Sequence, residues 1–270
     1  MSVLVVLVGC GNMGYAMLAG WLKSAKLNPY EVFVVEPNEA LRERAAALGA
    51  VVGADASAMP ADISPKLVIF AVKPQVMRHV VPDYRHLGAK GATYLSIAAG
   101  SRTSVFEELL GRSAAVVRCM PNTPAAVGKG MMVTFANRNV TEDTEGFVAD
   151  LLSASGEVAS IDDENLMDAV TAVSGSGPAY VFHVIECLTA AGEAAGLPQD
   201  TAKLLAMQTV YGAACLAKDS GETPTRLREQ VTSPNGTTAA ALSVLMEGDR
   251  LKLLMTDAVE AARKRGVELG

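Results

Sequence analysis

Val3-Leu4-Val5-Val6-Leu7-Val8 runs without a charge into Gly9-Cys10-Gly11-Asn12-Met13-Gly14. An apolar run ending in G-x-G-x-x-G reads as a buried parallel strand that turns tightly into a helix. The glycines let the chain reverse, let backbone approach a pyrophosphate, and let the helix sit close on the strand. The helix N-terminus adds unpaired N–H groups and a partial positive charge. A second strand candidate, 31–35, ends on Glu36, 22 residues after Gly14. A carboxylate there accepts hydrogen bonds from an adenosine ribose and repels a 2′-phosphate. No Lys or Arg occurs between 37 and 41, and Arg42 and Arg44 lie further along the next helix. These residues by themselves favour NAD(H) over NADP(H).

Outward from this stretch the same rhythm continues. Short β-branched runs at 67–72, 93–97 and 114–118 alternate with helical stretches at 12–26, 38–48, 74–87 and 103–111. That alternation predicts a parallel sheet with helices on both faces. Two further strand candidates, 130–136 and 157–161, flank a helix opened by Thr141-Glu142-Asp143-Thr144. From Asp162 onward strand-like runs vanish. Alanine-rich helical segments follow at 162–172, 177–195, 199–217, 224–231, 236–247 and 250–268. The expectation is an α/β, Rossmann-type doubly wound domain over 1–160, then an all-α domain over 161–270. The helix from Gly177 carries Ala179, Ala190, Ala191, Gly192, Ala194 and Ala195. Such small residues suit close helix approach, either within the domain or across a dimer.

Composition bounds the function. Half of the 270 residues are apolar and only 19% are charged. The mean hydropathy of +0.26 implies more buried surface than a monomer needs, hence a homo-oligomer. A net charge of −6 argues against a nucleic-acid partner, which calls for a basic face. Cys10, Cys119, Cys187 and Cys215 form no C-x-x-C pair and read as reduced thiols of a cytoplasmic protein. His79, His86 and His183 show no metal-ligand spacing, so no metal site is expected. Leu7-Val8-Gly9-Cys10 resembles a lipoprotein cleavage box, but no cation precedes it and the apolar run is too short. No stretch is long and apolar enough for a membrane span.

The candidate chemistry lies at strand ends and turns. Ala71-Val72-Lys73-Pro74, Ser96-Ile97-Ala98-Ala99-Gly100 and Arg118-Cys119-Met120-Pro121-Asn122-Thr123-Pro124 each close a strand at the edge where doubly wound sheets bind ligands. In the helical half, Ser174-Gly175-Ser176-Gly177-Pro178-Ala179-Tyr180 is a Ser/Gly turn before a helix opened by Pro178. It lacks the G-x-S-x-G frame of a hydrolase elbow. Thr232-Ser233-Pro234-Asn235-Gly236-Thr237-Thr238 reads either as a carboxylate cradle at a helix N-terminus or as ordinary capping. Neither 171–182 nor 231–246 contains Asp, Glu, Lys, Arg or His. A dehydrogenase acting on an alcohol needs an acid–base group by the reacting oxygen. An imine that arrives already protonated does not.

Taken in order, these motifs resemble the pyrroline-5-carboxylate reductase family over nearly the whole chain. The resemblance implies NADPH- or NADH-dependent reduction of Δ1-pyrroline-5-carboxylate to L-proline, the last step of proline biosynthesis. It also implies a homodimer or larger homo-oligomer built through the C-terminal helices. Carried over, Gly9, Gly11, Asn12, Met13 and Gly14 would hold the pyrophosphate and Glu36 the adenosine ribose. Ala71, Val72, Lys73 and Pro74 would hold the cofactor's middle, and Ala98, Gly100, Met120, Asn122 and Thr123 would lie by the nicotinamide. Ser176, Ser233, Gly236, Thr237 and Thr238 would bind the substrate. Thr238, the catalytic candidate, would hydrogen-bond the ring nitrogen. Asn235 and Thr237 stand where the family often has Gly and Ala, and Glu36 departs from its usual NADPH preference. A β-hydroxyacid dehydrogenase is disfavoured because Val181 occupies the place of its catalytic lysine. A cofactor sensor without turnover is disfavoured by the 233–238 cradle.

Overall fold

The computed structural model describes residues 3–269. Its first half is one eight-stranded sheet in the order β3-β2-β1-β4-β5-β6-β7-β8. In chain order the elements begin with β1 Val5–Val8, α1 Asn12–Lys23, β2 Val32–Val35, α2 Glu39–Ala46 and β3 Val51–Gly53. They continue with β4 Leu67–Phe70, α3 Pro74–Val80, α4 Arg85–Gly88, β5 Thr93–Ser96 and α5 Thr103–Leu110. β6 Val116–Met120, β7 Gly130–Ala136, α6 Glu142–Ser153 and β8 Gly156–Ser160 complete the sheet.

β1 lies at the centre, paired in parallel with β2 and β4, and all four of its residues are buried. Because side chains alternate across a strand, Val5 and Leu7 join one core and Val6 and Val8 the other. The first core takes Met17, Leu18 and Trp21 of α1 with Val148, Leu151 and Leu152 of α6. Trp21 is fully buried, and its ring N–H donates to Leu151 O at 3.1 Å. The second core holds Phe70, Tyr84, Tyr94 and Phe106; Tyr84 meets Phe70 edge to face, Tyr94 stacks on it and Phe106 lies tilted against it.

Three details depart from the expected outline. β3 is a three-residue strand too short for a periodic signal. β7 runs antiparallel to β6, because the short link 121–129 cannot hold a crossover helix. β8 is again parallel to β7, across α6. The expected helix 74–87 is broken by a 3₁₀ turn, Val81–Tyr84, that contains Pro82.

Beyond β8 come α7 Met167–Val170, a π turn Thr171–Gly175, and α8 Gly177–Ala194. α9 Gln199–Asp219, α10 Pro224–Gln230, α11 Thr237–Met246 and α12 Arg250–Leu269 follow. Strands stop at Ser160, but the chain separates into compact units elsewhere. One unit continues to Ser176 and takes back the chain from Ala262, and the other is Gly177–Ala261. The expected boundary near 160 therefore lies inside the first unit. In the second unit α8 and α9 lie along each other, and Ala202 and Ala206 are its only fully buried residues among those described. No helix among the described residues is long and apolar enough to cross a membrane.

Candidate functional site

The glycine loop is shaped by two different demands. Gly9 has φ +91°, and a Cβ there would lie 2.8 Å from Val72 Cγ1 and 2.9 Å from Ala71 O. A Cβ on Gly14 would come within 2.4 Å of Gly9 O. The protein's own packing thus requires Gly9 and Gly14. Gly11 meets nothing within 4 Å, so its missing side chain keeps a surface clear for something outside the chain. Gly11 is also the N-cap of α1 and provides no side-chain cap. The first N–H groups of that helix, on Asn12 and Met13, have no intrahelical acceptor. An uncapped helix start with a bare backbone in front of it fits a pyrophosphate.

Glu36 follows β2 and is only 6% exposed. Its Oε2 accepts the Cys10 N–H at 2.7 Å and its Oε1 accepts the Asn38 N–H at 2.9 Å. The carboxylate thus fastens the strand end to the glycine loop. Arg42 and Arg44 lie along α2, as expected, and their side chains reach back toward the loop. Arg42 Nη1 donates to Glu36 O at 3.0 Å and Pro37 O at 3.1 Å. Arg44 Nη2 donates to Cys10 O at 3.1 Å, and its guanidinium lies 4.0 Å over the Tyr15 ring. Their positions on the helix were legible in the sequence but these contacts were not, because a long side chain ends far from its Cα. Burial pushes the Cys10 thiol up to about 11 and the Cys119 thiol to about 12, so neither is a thiolate near neutral pH.

The other strand ends line the same edge of the sheet. Ala71 and Val72 abut Gly9, exposed Lys73 is the N-cap of α3, and Pro74 is its first residue. After β5, Ser96 Oγ accepts the Ala98 N–H at 3.3 Å, Ala98 is buried, and Gly100 turns with φ +73°. After β6, Met120 is buried and Thr123, exposed, opens a 3₁₀ helix. The Asn122 amide is already engaged: Oδ1 accepts the Met131 N–H at 2.9 Å, and Nδ2 donates to Ser174 O at 3.1 Å. Arg118, on β6, was part of the quoted motif without a role. It is 2% exposed, and its Nη1 lies 3.3 Å from Glu164 Oε1 and its Nη2 3.9 Å from Asp168 Oδ1. Glu164 in turn accepts from Thr103 N and Thr103 Oγ1, each at 2.8 Å.

Ser176 closes the π turn in the first unit, and the other four substrate candidates lie together in the second. There the Ser233–Thr238 turn is built by two backbone constraints. Asn235 has φ +59°, a left-handed conformation that asparagine tolerates better than most residues. It can therefore stand where a glycine is common. At Gly236 a Cβ would lie 2.4 Å from Ser233 Oγ and 3.2 Å from Ser233 O, so a side chain there would push the hydroxyl aside. Gly236 is the N-cap of the ten-residue α11 and gives no side-chain cap. The N–H groups of Thr237 and Thr238 therefore lack intrahelical acceptors. The Thr238 hydroxyl makes no hydrogen bond to the described residues and sits half-buried. The turn offers hydroxyls, free N–H groups and a helix dipole, with no titratable side chain from 231 to 246.

Comparison with known proteins gives concordant matches. The family model described as pyrroline-5-carboxylate reductase dimerisation matches residues 164–269. A second, described as NADP oxidoreductase coenzyme F420-dependent, matches residues 4–100. A pyrroline-5-carboxylate reductase of Synechocystis sp. is 40% identical over 270 residues, covering 100% of this chain and 99% of the relative. One from Pseudomonas aeruginosa is 38% identical, covering 98% and 96%. Among solved structures, a pyrroline-5-carboxylate reductase from Coxiella burnetii superposes with a TM-score of 0.94 at 32% identity, covering 100% of this chain and 99% of that one. The Plasmodium falciparum pyrroline carboxylate reductase, solved with NADP bound, gives 0.85 at 29% identity, covering 99% and 98%.

Proposed function

The chain belongs to the pyrroline-5-carboxylate reductase family, and from that premise we propose how its residues perform the reaction. It is an NADP-dependent oxidoreductase that reduces the C=N bond of Δ1-pyrroline-5-carboxylate to L-proline, the last step of proline biosynthesis. The observation that carries the assignment of roles is the charge-free Ser233–Thr238 turn, with an uncapped helix behind it and an unbonded Thr238 hydroxyl. A carboxylate fits its free N–H groups and hydroxyls, and a nearby cation is not needed. In our reading Ser233, Gly236, Thr237 and Thr238 hold the substrate carboxylate, and Ser176 is a further substrate-binding residue. Thr238 orients the ring nitrogen.

The cofactor side is divided among Gly9–Gly14, Glu36, Ala71–Pro74, Ala98–Gly100 and Met120–Thr123. The fit of a dinucleotide rests on the clear space at Gly11 and the uncapped start of α1. The bound nicotinamide supplies the hydride. The chain supplies position and dipoles, which alone can lower a barrier by several kcal/mol. A threonine is too weak an acid to protonate an amine, so the proton comes with the substrate iminium or from water. The chain is homo-oligomeric, and we assign its dimer contact to the helices of the second unit.

The test is NADPH consumption with pyrroline-5-carboxylate by the parent and by Thr238→Ala. Loss of one donor aimed at the reacting atom lowers kcat by on the order of 10²-fold. Cofactor Kd, followed by fluorescence, stays within about twofold, because Thr238 is not part of the dinucleotide motif. An unchanged kcat removes Thr238 from the mechanism.

A further inference from the structure

Asn122 uses both ends of one carboxamide to join three pieces of backbone. Its Oδ1 accepts the N–H of Met131, the second residue of β7. Its Nδ2 donates to Ser174 O at 3.1 Å and reaches Ser174 Oγ at 3.5 Å. Ser174 lies in the π turn Thr171–Gly175, where the helical hydrogen bond widens to Ser176 N–H donating to Thr171 O at 2.8 Å. Such a turn inserts one residue into a helix and leaves a carbonyl for an outside donor. Asn122 supplies that donor. Alongside, Gly175 is seated on Met120: a Cβ there would lie 3.3 Å from Met120 Sδ.

Met120–Thr123 is the loop assigned to the nicotinamide, and the π turn ends on Ser176, assigned to the substrate. We propose that Asn122 is a positioning residue for hydride transfer, setting the geometry between these two walls rather than the affinity for either ligand. The proposal rests on the reading of the reaction given above. An amide meets the chemistry of the position with its two ends. The Met131 N–H demands an acceptor and Ser174 O demands a donor, and a carboxylate or an aliphatic residue cannot serve both. A displacement of about 1 Å between reacting groups is enough to cost on the order of 10²-fold in rate.

Asn122→Asp keeps the acceptor for Met131 and turns a carboxylate toward Ser174 O. Gly175→Ala crowds the same seam from the opposite side, without backbone strain, because Gly175 has no positive φ. Both are made in the full-length oligomer. Four quantities are measured: kcat, KM for pyrroline-5-carboxylate, cofactor Kd, and the primary isotope effect with NADPH deuterated at the transferred position.

For Asn122→Asp, kcat is expected to fall on the order of 10²-fold. Cofactor Kd stays within about twofold, and the isotope effect on kcat grows as hydride transfer becomes the slow step. Gly175→Ala gives the same signature with a smaller loss. A fall in kcat with an unchanged isotope effect means fewer active molecules and overturns the proposal. So does a loss confined to cofactor Kd, which makes Asn122 a direct ligand, and so does a kcat within about twofold of the parent. If the parent oxidises neither NADPH nor NADH with this imine, the reading of the reaction falls, and this proposal with it. An active parent beside an unaffected Asn122→Asp overturns the positioning role alone.

Discussion

A carboxylate that accepts N–H groups from both Cys10 and Asn38 stands at one fixed place beside the glycine loop. In the proposed cofactor site its negative charge would be a fixed part of what the ribose end of a dinucleotide meets. Removing it should ease the approach of a 2′-phosphate. Glu36→Ala is expected to raise the kcat/KM ratio of NADPH over NADH by about tenfold, or ~1.4 kcal/mol. The same change removes two hydrogen bonds to a charged group, each contributing about 1.5–3 kcal/mol, so Tm falls as well. A lower Tm with an unchanged cofactor ratio leaves Glu36 as a brace and nothing more. Glu36 was legible in the sequence because the length of a βαβ unit sets its distance from Gly14. Its partner was not, since Cys10 N–H lies 26 residues away and carries no side-chain signal. The contacts of Arg42 and Arg44 were hidden for a related reason: spacing places a Cα on a helix, not the far end of a long side chain. Asn122 stood in the quoted motif as a cofactor contact, and its engagement by Met131 and Ser174 depends on a π turn that no periodicity announces.

At the scale of elements, β6 is where the reading was most and least informative. That a strand lies here followed from the β-branched run at 114–118, although the strand itself is Val116–Met120. The reversal into β7 follows only from counting the link, and the three-residue β3 has no pattern to count. Arg118 shows the limit in energetic terms. A cation in a strand of buried residues is legible as an anomaly, yet its compensation comes from Glu164 and Asp168, far along the chain. Its Nε and Nη2 have no hydrogen-bond partner, so the ion cluster is only partly satisfied. Breaking such a cluster from one side strands the remaining charges. Arg118→Met is expected to cost about 3–5 kcal/mol in urea unfolding at fixed protein concentration. Adding Glu164→Gln should recover part of that loss, because the carboxylate left behind is then neutral. A single-variant cost below about 1 kcal/mol would mean that the cluster is well hydrated and energetically idle.

For the molecule as a whole, the distribution of buried surface is uneven in a way that decides its assembly. The sheet unit has two aromatic and aliphatic cores, whereas the unit Gly177–Ala261 fully buries only Ala202 and Ala206 among the described residues. Yet its helices expose Phe182, Leu204, Tyr211 and Leu254, each more than half accessible. Two alanines cannot offset the conformational entropy of ordering five helices, at roughly 1–2 kcal/mol per residue. A second copy covering these helices would supply the missing core, in keeping with the dimerisation family match over 164–269. The positive mean hydropathy already contained this excess, but composition could not say which half carried it. If these helices form the interface, charges at their most exposed apolar positions should separate the subunits. Leu204→Glu combined with Leu254→Glu is expected to shift the molar mass from light scattering down to that of one chain. The turn proposed to bind substrate, at the head of α11, belongs to the same under-packed unit, so turnover should fall with the mass, while NADPH still binds the sheet unit with little change. A doubly charged variant that keeps the parent's mass and activity would move the interface off these helices.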